Sequence, residues 1–112
     1  MPRAKRSIKG AVTIEGFSLI WNLHREQQAY NEEEWKGVGI HVRIAEGVKR
    51  ELHLEYPVKA MKVGVDVLRP DPARQNILTA KVEAHIREAM AAGWDPGSRG
   101  KPFVHKVEEL PG

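Results

Sequence analysis

The stretch from Thr79 to Val107 leaves the least freedom about what this chain can fold into. Val82, Ile86, Ala89 and Met90 recur at helical spacing and form one apolar stripe. Lys81, Glu83, Arg87 and Glu88 fall mostly off it. The spacing predicts a helix over 80–92, with Thr79 as the N-cap whose hydroxyl accepts from a free backbone N–H. Gly93 stands where a helix ends by taking a positive φ, and Trp94 can fold back on the last turn. Asp95-Pro96-Gly97 forbids further helix. Phe103, His105 and Val107 then alternate with Val104 and Lys106, which is the period of a strand.

Upstream the same period of two repeats. Val12 and Ile14 alternate within 11–15, and Gly16 breaks the run. Phe17, Leu19, Trp21 and Leu23 alternate with Ser18, Ile20, Asn22 and His24, a second strand with one apolar face. The polar stretch 26–36, with Glu32-Glu33-Glu34, reads as a long hairpin connection that ends near Trp35. Two further strands follow, Val38 to Ile44 and Glu51 to Tyr56. Parity pairs Val42 with Leu52 and Ile40 with Leu54, because a slip of one residue sets apolar against polar. That register puts His41 opposite His53 and Arg43 opposite Glu51 on the other face. Lys59 to Leu68 reads as one further extended piece, weakened by Gly64.

The expected fold class is α+β: a mostly antiparallel sheet of four to five strands with one main helix on one face, in the order β-β-β-β-α-β. A chain of 112 residues suits one domain. It is read as a tail over 1–10, the domain over 11–108 and a short tail over 109–112. A 13-residue helix is about 20 Å long and covers two or three strands. Part of the apolar face is therefore expected bare, with Phe17, Trp21 and Trp35 as the exposed candidates. A second copy hides such a surface well, so the expectation is a homo-oligomer.

Charge divides unevenly. Arg3, Lys5, Arg6 and Lys9 give the first ten residues four positive charges and no acid. The rest carries 14 basic and 15 acidic side chains, so the body is nearly neutral. The basic opening, with Arg99 and Lys101 assisting, is the expected contact if the chain meets nucleic acid. No apolar run follows that opening, so it is not read as a signal peptide, and no run is long enough to span a membrane. Without cysteine the chain has no thiol catalysis or cysteine–zinc chemistry.

The segments W-x-L-x-R-E at Trp21 to Glu26, EWKG at Glu34 to Gly37, RELHLEYP at Arg50 to Pro57 and AMAAGWDPGSRGKPF at Ala89 to Phe103 resemble a group of small uncharacterised bacterial proteins. These share a GWxPxxxGKxF ending, and some are carried on mobile gene cassettes. The resemblance covers about four-fifths of the chain and implies a bacterial, cytoplasmic protein. It implies no activity, ligand or catalytic residue. The resemblance leads one to expect a Ser-Pro helix start, and this chain has Thr79-Ala80 instead.

The clearest candidate chemistry is three histidines. His24, His41 and His53 share the polar parity, and three imidazoles on one face can bind zinc or move protons. The competing reading is a solvated face with Arg43 and Glu51 as an ordinary ion pair. His85 borders the helix stripe and is expected to be hydrogen-bonded at a packing edge. His105 has no assigned face. GWDPGSRGKPF resembles a phosphate loop in its glycines, but it follows a helix C-terminus, where the dipole repels anions. With no catalytic motif and no implied cofactor, the sequence points to a non-enzymatic binding or interaction protein.

Overall fold

The computed structural model describes residues 8–29, 35–47, 49–65 and 67–112. Arg3, Lys5, Arg6 and the run Glu32–Glu34 lie outside the described residues. The fold is α+β, with one helix and a mixed five-stranded sheet.

Strands β1 (Lys9–Ile14) and β2 (Phe17–Arg25) form a hairpin, with Glu15 and Gly16 both at positive φ in its turn. Strands β3 (Gln28–Ala29) and β4 (Trp35–Lys36) pair as a small ribbon within the connection to β5 (Gly39–Ile44). Next come β6 (Leu52–Glu55), β7 (Ala60–Gly64), β8 (Val67–Pro70), α1 (Thr79–Ala91) and β9 (Phe103–Lys106). The main sheet runs β1-β2-β5-β6-β9, and β7-β8 stands as a second two-stranded ribbon.

The expected register between β5 and β6 holds: Ile40 faces Leu54, His41 faces His53 and Val42 faces Leu52. Three differences from the sequence reading are plain. The sheet is mixed, because β9 pairs parallel with β6, and α1 lies in the crossover that a parallel pair requires. The piece 59–68 folds back on itself as β7 and β8 instead of running on as one strand. The helix is capped by Leu78, without a side-chain cap, so Thr79 is its first residue.

The helix ends as its sequence foretold. Gly93 takes φ +121, Trp94 N–H donates to Ala89 O at 3.0 Å, and Gly93 N–H donates to Met90 O at 3.1 Å. These two bonds satisfy carbonyls that a helix end otherwise leaves unpaired. Trp94 is buried, and its indole N–H donates to Arg50 O at 3.1 Å. Arg50 also donates to Ser98 O and Lys101 O, so the Gly-rich segment is a braced turn.

One core serves the molecule. Ile14, Leu19, Trp21, Ile40, Val42, Leu52 and Leu54 from the sheet meet Val82, Ile86 and Ala89 from α1, with Tyr56, Trp94 and Val107 closing the sides. Trp21, expected on bare sheet, is 2% exposed. Its ring lies across β1, where a Cβ on Gly10 would come 2.6 Å from the indole nitrogen. Loop and strand-end residues thus complete the cover that the helix alone does not give. Phe17 is half-buried against the core and Trp35 is half-buried in β4. Residues 109–112, read as a tail, lie against the helix start, where Pro111 O accepts from Leu78 N–H at 2.9 Å.

Candidate metal centre on the histidine face

Strand alternation sends every second side chain of the main sheet away from the core. On that face lie Asn22 and His24 of β2, His41 and Arg43 of β5, and His53 of β6. His41 and His53 are direct cross-strand partners. Asn22, and not His24, is the partner of His41 on the other side. A bulge between Leu23 and Arg25 leaves His24 unpaired in the register. His24 therefore reaches His41 diagonally.

The three rings form a ladder. His24 and His41 stack with centroids 3.8 Å apart and planes 16° from parallel. His41 and His53 stack at 3.7 Å and 6°. Glu51, just before β6, turns its carboxylate to the lower end of the ladder. Its Oε1 lies 3.6 Å from His53 Nε2 and 3.9 Å from His41 Nδ1. Arg43 instead reaches Ile44 O, at 3.5 Å. The expected pairing of Arg43 with Glu51 thus yields to a contact between Glu51 and two imidazoles.

Electrostatics keeps the middle ring neutral. Burial lowers the pKa of His41 from 6.5 to about 4, helped by the neighbouring His53 and His24 and opposed by Glu51 and Glu55. A second proton within such a stack would set like charges less than 4 Å apart. Glu55 is held in turn by an ion pair with Arg25, whose Nε donates to Gly37 O at 3.1 Å.

The sequence reading named His24, His41 and His53, and the structure brings all three together. It changes the donor set. The group whose ligand atoms lie within 4.8 Å of one another is His41, Glu51 and His53. His24 is a stacking neighbour of that group. Glu51 shares the parity of His53, two residues away, and that parity was the available signal. The other expected contacts do not converge: Lys9 opens β1 at one edge of the sheet, while Arg99 and Lys101 lie in the loop before β9 at the other.

A second polar cluster is structural. His85 is wholly buried in the helix stripe. Its Nε2–H donates to Glu109 Oε1 at 2.7 Å, and its Nδ1 accepts from the Tyr56 hydroxyl at 2.8 Å. The bond from His85, with Lys81 nearby, holds the Glu109 carboxyl below its ordinary pKa. Burial raises that of Tyr56. With both its nitrogens engaged inside the core, His85 pins the C-terminal segment to α1 and has no free atom for a ligand.

No protein-family model, curated protein or solved structure matches this chain. No helix among the described residues is long and apolar enough to cross a membrane.

Proposed function

We propose that this chain is a non-enzymatic binding protein that holds one divalent transition-metal ion, such as zinc, between His41, His53 and Glu51. The observation that carries the reading is that one carboxylate oxygen lies within 4 Å of nitrogens from two imidazoles. Two histidines and a carboxylate are a common donor set for zinc, with the fourth position left to water. Tetrahedral zinc, with bonds of about 2.0–2.1 Å, sets its donors about 3.4 Å apart, so the 3.6 and 3.9 Å contacts of Glu51 shorten by only a few tenths of an ångström. The lone pair of an imidazole lies in the plane of its ring. Two parallel rings therefore cannot address one ion, and one of them turns about χ2 on binding. His41 and His53 each keep 23% of their side-chain surface exposed, which leaves room for the turn. The lowered pKa of His41 favours the neutral form that a metal needs. The site lies on an open face that water reaches, which suits holding and release of an ion. We place this work in the cytoplasm and in a homo-oligomer.

Equilibrium dialysis of the untagged chain against zinc chloride at pH 7.5 tests the reading. One ion per chain is expected. His53→Ala and Glu51→Ala each weaken binding at least about tenfold, and His105→Ala leaves it unchanged. No binding by the wild type, or binding that survives His53→Ala, sinks the proposal.

A further inference from the structure

Among the described residues, five of the seven exposed large apolar ones, Met61, Val63, Val65, Val67 and Leu68, sit on the ribbon β7–β8. Every residue of β7 is exposed. The ribbon is clamped at its base. Gln27 Nε2 donates to Lys59 O and Asp71 O, and Gln27 Oε1 accepts from Lys59 N–H and Gln75 Nε2. Beyond that clamp it forms a two-stranded sheet of its own, an arrangement of marginal stability in water. Its register sets Met61 beside Arg69 on one face, which Val67 shares by alternation, and Lys62 beside Leu68 on the other, with Val63 at the bulge between Lys62 and Gly64.

The open edge of the main sheet offers a seat. Strand β9 is the sheet edge beyond β6. On the histidine face of that edge Val104 is 54% exposed. On the helix face a cleft of about 530 Å³ is lined by Glu88, His105, Lys106, Val107, Glu108 and Glu109. We propose that β7 of one copy adds to the β9 edge of a second copy, and that the exchange is reciprocal. Met61 and Val63 then cover Val104, while Lys62 turns to the carboxylates of Glu88 and Glu108. Strand β7 is the better adding strand, because Pro70 deprives β8 of one donor.

A second copy suits the arm better than an unrelated partner, because the chain itself carries the exposed Val104 on one face of the β9 edge and the carboxylates of Glu88 and Glu108, beside Lys106, on the other. A reciprocal exchange makes the contact twice and closes a two-fold dimer.

The test is sedimentation velocity on the full chain at micromolar concentration, with far-UV circular dichroism to confirm folding. The wild type is expected to be a dimer. Val63→Glu, at an exposed site, places a charge in the contact and raises the dimer dissociation constant about a hundredfold or more. Lys62→Glu weakens it, and adding Glu88→Lys with Glu108→Lys restores it. A monomeric wild type overturns the proposal, as does a dimer that Val63→Glu leaves intact. If the charge exchange fails to restore the dimer, β9 is not the seat.

Discussion

His41 shows how one side chain ties the face to the stability of the fold. Unfolded, it takes up a proton near pH 6.5, and folded it resists until about pH 4. Between those values the unfolded chain binds more protons, so its share of stability, complete above pH 6.5, is lost as pH falls towards 4. Melting temperatures measured from pH 7 to 4.5 should therefore decline, and His41→Gln should flatten the decline. An unchanged slope in the variant would mean that the stack does not hold His41 neutral. The buried counterpart, His85, calls for a different experiment. Tyr56→Phe removes the donor to its Nδ1 and leaves a buried acceptor unpaired, at a cost of about 1–3 kcal/mol by urea unfolding. Glu109→Ala removes the partner of Nε2 at an exposed side chain, where water can replace it, so the loss is smaller. Equal losses would show that water reaches both ends of the imidazole.

Elements differ in how openly the sequence announces them. The stop of α1 was legible because Gly93 and Trp94 perform a task that few residues can. Gly93→Ala at φ +121 should cost about 1–2 kcal/mol without altering the sheet, and a calorimetric melt reads that loss. The register of β5 on β6 was legible because both strands alternate cleanly and only one parity buries Ile40, Val42, Leu52 and Leu54 together. The bulge at His24 was not, since no glycine or proline marks it, and it arises from how β2 meets β5 beyond Leu23. The fold-back of β7 onto β8 was hidden for another reason: its apolar residues keep strand period but face solvent, so period alone did not tell core from arm. Glu51 shared the parity of His53 in plain view, yet one dimension could not decide between Arg43 and the imidazoles. The clamp at the arm base is likewise invisible in sequence. Gln27→Ala should raise amide exchange over 59–71 while barely moving the melting temperature, because the arm adds little to the core. A large drop in melting temperature would place the arm inside the cooperative unit.

At the scale of the molecule, the cover of the apolar face redirects attention. The expected interface on bare sheet named Phe17, Trp21 and Trp35; the Trp21 ring is spent on the internal core, and the other two are half-buried. What remains outside is a histidine face and an apolar arm, and strand β9 joins them. Val104 is the register partner of His53, one strand away. A partner arm seated over Val104 therefore lies beside the proposed metal centre and excludes water from one flank. Electrostatic attraction between the ion and Glu51 strengthens when water is excluded. Zinc should accordingly bind several-fold more tightly to the dimer than to the monomer, and zinc should tighten the dimer by the same factor, since the two equilibria are linked. Zinc titrations at protein concentrations above and below the dimer dissociation constant measure the first effect, and sedimentation with and without zinc measures the second. In Val63→Glu the stoichiometry should stay at one ion per chain, while the dependence on protein concentration disappears. Equal zinc affinity in monomer and dimer would separate the two surfaces and require the arm to seat away from Val104.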